Sequence, residues 1–181
     1  FLYTHLPQKL DLPLITQFSC GEGFTICLSE DGELYSFGEN RYGQLGHEDM
    51  EYYNYPKKIE KIEKVEFVEC GNHFTICKTQ TNELFSWGVN DYGQLANGKL
   101  GENQFSPGNC IEIPDGIVDI KCGCDFVLLL TEKKEVFACG NNEHCQIGRE
   151  TESYYSATFH KIEDLFDIIR IECGERHSLC I

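Results

Sequence analysis

The sequence predicts an all-β fold, a partial β-propeller built from four-stranded blades with about 51 residues in each repeat. The first observation behind this prediction is a recurring Cys-Gly dipeptide, spaced by 50, 52 and 51 residues, at Cys20-Gly21, Cys70-Gly71, Cys122-Gly123 and Cys173-Gly174. The second is the alternation of apolar and polar residues in short stretches, without a helical stripe longer than about two turns. Units of three or four short strands cannot bury both faces alone, so we expect them to stack radially.

The spacing of the dipeptide divides the chain into four repeat units. We place their boundaries at about residues 7–55, 56–106, 107–158 and 159–181, within a single partial propeller over residues 1–181. The last unit is incomplete and the first residue is Phe1. We therefore expect the natural protein to be longer, or the chain to associate.

Within each unit the local patterns favour strands and tight turns. Residues 65–70 alternate apolar with charged side chains, as a half-buried strand does. Asp31-Gly32 is typical of a tight hairpin, and residues 81–82 hold the same place one repeat later. Residues 164–171 come nearest to a helical pattern, but they match residues 61–68 in register. We therefore predict a strand there, or a loop leading into one.

Two motifs resemble the repeat of the regulator of chromosome condensation family. One is Cys-Gly-x-x-His-Ser-Leu at residues 173–179, and the other is Leu-Phe-Ser-Trp-Gly-x-Asn-x-x-Gly-Gln-Leu at residues 84–95. The resemblance extends over about residues 7–181. It implies a seven-bladed β-propeller, of which this chain would supply three full repeats and the start of a fourth.

The chain departs from the family pattern in places. Three positions where the family prefers His hold Phe, namely Phe24, Phe74 and Phe126. In the third unit Cys139 replaces an aromatic residue, and Cys145 replaces the glycine found at Gly43 and Gly93. If that glycine has a positive φ, a cysteine there costs about 1 kcal/mol or more. We therefore expect the third turn to differ in shape.

The eleven cysteines raise the question of a metal site. Candidate zinc ligands would be Cys122, Cys124, Cys139, His144 and Cys145, but their spacing is not that of a zinc module. Seven cysteines instead fall at equivalent repeat positions, namely Cys20, Cys70, Cys122, Cys173, Cys27, Cys77 and Cys180. Cysteine at a repeating apolar strand position behaves as a small core residue, so we predict packing and no bound metal.

No constellation of residues points to covalent catalysis. His73 and His177 could act as general bases, but neither has a Ser or Cys nucleophile in a recognisable elbow nearby. The acidic stretches 48–51 and 60–69 are typical of solvated faces. Residues 21–23 contain two glycines but precede no helix, so they do not form a phosphate-binding loop. We predict no catalytic residue, no cofactor and no enzymatic activity.

Charge and composition exclude further classes. Lys and Arg total 15 against 30 Asp and Glu, a net charge of −15, which disfavours direct binding to DNA or anionic membranes. An acidic surface of this kind fits a basic protein partner. No apolar run approaches the ~20 residues of a membrane helix, and no export signal is visible. We therefore expect a reducing intracellular location, in the cytoplasm or nucleus.

Aligned loop residues provide the candidate binding positions. Arg41 and Tyr42, Asp91 and Tyr92, and Glu143 and His144 should lie on one propeller face, where aromatic and charged side chains can form hot spots. They fit solvent-facing turns equally well.

The main functional hypothesis is a regulatory protein-interaction module within a larger protein. The resemblance implies an alternative, guanine-nucleotide exchange on a Ran-like small GTPase, in which tighter binding of the nucleotide-free GTPase lowers its nucleotide affinity. Family exchangers have a wedge-like insertion, and none stands out in the similar loops 47–55, 97–106 and 149–158. A further alternative is the substrate-binding propeller of a ubiquitin-ligase-type protein.

Overall fold

A computed structural model describes residues 9–149 and 153–181. Residues 7 and 8, which open the first predicted unit, and residues 150–152 of the predicted loop 149–158 lie outside the described residues. Within the described part the fold is all-β, as predicted, and no helix is long and apolar enough to cross a membrane.

In the described part of the chain, three four-stranded antiparallel sheets and one two-stranded sheet follow each other. Blade 1 contains β1 (Ile15–Cys20), β2 (Phe24–Ser29), β3 (Leu34–Gly38) and β4 (Tyr53–Lys58). Blade 2 contains β5 (Val65–Cys70), β6 (Phe74–Thr79), β7 (Leu84–Gly88) and β8 (Gln104–Asn109). Blade 3 contains β9 (Ile117–Cys122), β10 (Phe126–Thr131), β11 (Val136–Asn141) and β12 (Tyr155–Lys161). The half-blade contains β13 (Ile171–Cys173) and β14 (Ser178–Cys180).

The sheets and the predicted repeat units have the same period but a different phase. Residues 56–58, which open the second predicted unit, belong to β4 of blade 1. The same offset places residues 159–161 in β12 of blade 3. The repeat spacing fixes how far apart the blades lie along the chain, but it does not say which strand begins a sheet.

The blades stack through their inner strands and bury apolar clusters between them. The first strand of each blade contacts the first strand of the next, in the order β1, β5, β9 and β13. Leu28 and Leu45 of blade 1 pack with Val68 and Trp87 of blade 2. Phe74 of blade 2 belongs to the cluster that contains blade 3 residues. We call the blade 1–blade 2 contact the first seam and the blade 2–blade 3 contact the second seam.

The antiparallel order sorts the connections between two ends of the array. The turn after the first strand and the loop after the third strand lie at one end, which we call the upper face. It includes the turns 21–23, 71–73, 123–125 and 174–177 and the loop tips 39–42, 89–92 and 142–144. The turns after the second strand and the links between blades lie at the opposite end, the lower face.

The third loop keeps the turn of the other two, contrary to our expectation. Gly43 and Gly93 have φ of 80° and 81°, and Cys145 adopts 60° in the same hydrogen-bonded turn. A Cβ at Gly43 would lie 2.6 Å from Phe105, and one at Gly93 would lie 2.5 Å from Cα of Ala157. Cys145 is exposed, so its Cβ has room there, and the strain does not change the shape of the turn.

The predicted tight turns at residues 31–32 and 81–82 and the predicted loop before β13 are confirmed. Gly32 and Asn82 both have positive φ, of 78° and 64°, in the turns between the second and third strands of blades 1 and 2. Residues 164–170 form a loop that leads into β13 at Ile171.

Candidate interaction face

The loop tips of the upper face rest on buried asparagines. The Oδ1 atom of Asn40 accepts a hydrogen bond from the Leu45 amide at 2.9 Å. Asn90 and Asn142 do the same for the residues five positions on, at 3.1 and 3.3 Å. All three asparagines are buried. Each loop is therefore closed by an internal side chain at its base, which lowers the number of conformations available to its tip.

Buried glutamines hold the tips themselves. The Oε1 atom of Gln44 accepts a hydrogen bond from the Tyr42 amide at 3.0 Å. Gln94 and Gln146 accept from the amides two positions earlier in their loops, both at 2.9 Å. The Asn and Gln of the repeat motif thus have a local structural role, and they leave the side chains between them directed away from the core.

The six predicted binding residues lie together on the upper face. Tyr42 is 39% exposed and Tyr92 is half-buried. The remaining four are exposed, namely Arg41, Asp91, Glu143 and His144. The structure supports their accessibility and their shared orientation, and their role in binding stays a prediction.

The turn residues that accompany these loop tips were not among the predicted positions. The rings of Tyr42 and His73 are 5.0 Å apart across the first seam. His73 Nε2 lies 3.5 Å from a carboxylate oxygen of Glu22, which is in the turn of blade 1. The repeat alignment carries a signal for this position, because the third residue after each Cys changes in kind, from glycine through His73 to Asp125 and Arg176.

The second seam opens onto an acidic part of the upper face. The pKa of Tyr92 is raised, first by the negative charge of Glu143 and then by burial, with smaller contributions from Asp125 and Asp91. Burial is the main cause that raises the pKa of Asp125. Arg176 opposes both shifts. The negative charges near Tyr92 thus outweigh the positive charge of Arg176.

Backbone hydrogen bonds join the turns of successive blades around the axis. The Glu22 amide donates to the Asn72 carbonyl at 2.8 Å, the Asn72 amide donates to Cys124 at 3.0 Å, and the Cys124 amide donates to Glu175 at 2.9 Å. These turns surround an open cavity of about 480 Å³ lined by the Cys-Gly residues. Backbone hydrogen bonds thus connect the four turns along the inner rim of the upper face.

The eleven cysteines are free thiols, and five of them are buried, namely Cys27, Cys70, Cys77, Cys110 and Cys139. Burial raises the pKa of Cys70 to about 12, and it raises those of Cys77 and Cys139 well above the usual value. Thiols of this kind are poor nucleophiles and poor metal ligands. Within residues 9–149 and 153–181, no group of three or more His, Cys, Asp or Glu side chains could hold a metal ion.

The repeats match those of a known family. The regulator of chromosome condensation (RCC1) repeat matches residues 31–77, 81–130 and 134–181, and a second description of the same repeat matches residues 15–44 and 65–94. The chain belongs to the RCC1 repeat family. The resemblance inferred from the sequence is therefore confirmed.

The relatives that the chain matches are much longer proteins. It is 42% identical over 167 residues to the X-linked retinitis pigmentosa GTPase regulator of Mus musculus, covering 91% of this chain and 17% of that protein. It is 35% identical over 149 residues to the serine/threonine-protein kinase Nek9 of Mus musculus, covering 78% of this chain and 15% of that protein. The chain thus spans less than a fifth of the length of either relative.

A solved structure supports the fold. The chain superposes on Prp20p from Saccharomyces cerevisiae, a protein described with its binding to Gsp1p and histones, with a TM-score of 0.85 and 20% identity. The superposition covers 97% of this chain and 45% of that one. The RCC1 repeats of this chain therefore form part of a β-propeller, and the predicted fold class is confirmed.

Proposed function

We propose that this chain is a protein-interaction module of a regulatory protein, and that it binds its partner through the upper face without covalent chemistry. The observation that best supports this proposal is that buried Asn and Gln side chains fix the loops while the six tip residues stay accessible. A rigid scaffold that presents aromatic and charged side chains loses little conformational entropy on binding. A reducing location, in the cytoplasm or nucleus, fits the eleven free cysteines.

The charge of the upper face favours a basic protein partner. Its turns and loop tips carry two arginines and more carboxylates, namely Arg41, Arg176, Glu22, Glu39, Asp91, Asp125, Glu143 and Glu175. Complementary charge accelerates encounter and suppresses wrong partners. The same negative charge disfavours binding to DNA and to anionic membranes, because like charges repel.

A small GTPase of the Ran type is the second candidate partner. Two similarities favour it: one relative is named a GTPase regulator, and Prp20p is described with its binding to Gsp1p. Exchange would require the upper face to bind the nucleotide-free GTPase more tightly than the nucleotide-bound form. Exchange activity can be measured as the rate at which labelled GDP is released from Ran with and without the chain. A rate equal to the intrinsic rate would contradict this candidate function.

Substitutions on opposite faces test the binding surface. We expect a variant with Arg41→Ala, Tyr42→Ala, Asp91→Ala and Tyr92→Ala to lose partners captured by the wild-type chain. A matched variant with Asp31→Ala, Asp115→Ala and Lys133→Ala on the lower face should retain them. Quantitative mass spectrometry of the captured proteins gives the readout. Retention by the first variant and loss by the second would place binding on the lower face and overturn the assignment.

A further inference from the structure

The two seams share one set of backbone contacts. Across the first seam the Glu22 amide donates to Asn72 at 2.8 Å and the Glu48 amide donates to Phe105 at 2.8 Å. At the equivalent positions of the second seam, the Asn72 amide donates to Cys124 and the Gly98 amide donates to Ala157, both at 3.0 Å. These pairs hold adjacent blades in the same order and register.

The inner strands add polar contacts to the first seam. The Gln17 side chain donates to the Val68 carbonyl at 2.9 Å and accepts from the Val68 amide at 3.4 Å. Ser19 Oγ accepts from the Cys70 amide at 2.9 Å and donates to Glu69 at 3.1 Å. These side chains and backbone groups lock β1 against β5 along most of its length.

Among the described residues, the second seam has a counterpart for only one of these contacts, and that contact is longer. Phe67 stands where Gln17 stands one repeat earlier, and its side chain has neither a donor nor an acceptor. Glu69 takes the place of Ser19 and contacts Lys121 Nζ at 3.4 Å. The shorter contact of Lys121, at 3.1 Å, is with Asp119 of its own strand.

The outer halves of the two seams also differ, because the first seam again has the stronger hydrogen-bond donors. In the first seam the Gln44 carbonyl accepts from Thr75 Oγ1 at 3.0 Å and from Trp87 Nε1 at 2.8 Å. In the second seam Val127 replaces the threonine, and Cys139 Sγ lies 3.8 Å from the Gln94 carbonyl. A thiol is a weak donor, and a valine provides none.

We propose that the second seam is a shear joint, at which blade 3 slides against a rigid pair formed by blades 1 and 2. Apolar contacts are non-directional and tolerate small sliding, whereas hydrogen bonds fix both distance and angle. Both seams bury apolar side chains, so the difference between them is chiefly directional.

The joint divides the upper face. Arg41, Tyr42, Asp91 and Tyr92 belong to the rigid pair, whereas Glu143 and His144 belong to the moving blade. Sliding changes the separation between these two groups and leaves the first group unchanged. A partner that contacts both groups would lock the joint, which would couple binding to rigidity.

Amide hydrogen exchange, followed by NMR on the whole 181-residue chain, tests the joint through matched amides. After correction for intrinsic rates, we expect Asn72 and Gly98 to exchange about tenfold faster, or more, than Glu22 and Glu48. Equal protection within each equivalent pair would overturn the proposal. So would faster exchange of the first-seam amides.

Reciprocal substitutions separate the joint from general fraying of the chain. Val127→Thr supplies a hydroxyl to the second seam and should slow exchange of Asn72 and Gly98, with Glu22 and Glu48 unchanged. Thr75→Val removes the hydroxyl from the first seam and should speed exchange of Glu22 and Glu48 alone. Thr75→Val is close to isosteric, so it keeps the test decisive if Val127→Thr does not fold. Uniform changes across both seams, or none in either variant, would overturn the proposal.

Discussion

The first and second seams fill the same space with different pairs of residues. In the first seam Trp87 is fully buried beside Gly46, where an added Cβ would lie 3.0 Å from the indole Nε1. In the second seam the equivalent positions hold Cys139 and Ala96, also fully buried. Gly46 and Ala96 both have positive φ, of 78° and 48°. The alanine methyl is thus tolerated opposite a small thiol, and the glycine is required opposite a large ring.

This difference shows how a repeat can vary without losing its fold. Cys139 is a departure from the family motif when it is considered alone, but it is matched in size by Ala96 across the seam. The partner residue lies far away in the chain because each blade packs against the loop of the blade before it. Substitutions that change only one member of a pair should therefore break the equivalence of the seams.

The largest expected effect is at Trp87. Trp87→Ala removes the indole and leaves the Gln44 carbonyl with one partner fewer, which should reduce the free energy of unfolding by about 3–5 kcal/mol. Cys139→Ala, the matched change in the second seam, should cost only about 1 kcal/mol because one sulfur atom is removed. Urea denaturation of both variants measures the difference. Equal losses would mean that the two seams do not differ in packing.

Gly46→Ala should have the next largest effect. The added methyl lies against the Trp87 ring and the backbone has a positive φ, so we expect a loss of about 2 kcal/mol. Adding Trp87→Cys should make the combined loss smaller than the sum of the single losses, because the pair then resembles that of the second seam. The control is Ala96→Gly, which should change stability by less than about 1 kcal/mol. Strict additivity in the double mutant would contradict the size match.

Acid should weaken the packing beside the first loop more than that beside the second. Burial lowers the pKa of His47 to about 4, where its Nε2 lies 2.8 Å from Ser36 Oγ. The unfolded chain takes up a proton near pH 6.5 and the folded chain does not, so the contribution of His47 is complete above pH 6.5 and disappears towards pH 4. His47→Asn, which copies Asn97 of the second loop, should flatten the dependence of stability on pH between 7 and 5. An unchanged slope would exclude His47 as its source.

The smallest expected effect is at the third loop. Cys145→Gly restores the residue that the first two loops carry at a positive φ and should stabilise the chain by about 0.5–1 kcal/mol. Thermal unfolding of the two proteins under reducing conditions provides the measurement. A loss of stability would show that the thiol makes a contact that outweighs the strain.

The repeat period made the fold accessible from sequence, and so did the strand patterns of residues such as 65–70. The exposed tips at Arg41 and Asp91 followed from aligning the loops. The position of His73 and Asp125 beside these tips could not be predicted from the alignment. It depends on which blade packs against which. The phase of the sheets was also inaccessible, since a repeating sequence can be cut at any point of its period. The prediction that the third turn differs in shape was wrong, because the Cys145 side chain is exposed to solvent and its Cβ has room there.

The hydrogen bonds between the turns at Glu22, Asn72, Cys124 and Glu175 all run in one direction along the chain. The turns of Asn72 and Cys124 each donate through an amide to the unit that follows and accept through a carbonyl from the unit before. If a whole unit were inserted between two others, its turn amide would therefore have a carbonyl acceptor in the following unit. Its turn carbonyl would have an amide donor in the preceding unit. Gene duplication can lengthen such an array one unit at a time without inventing a new junction at this rim.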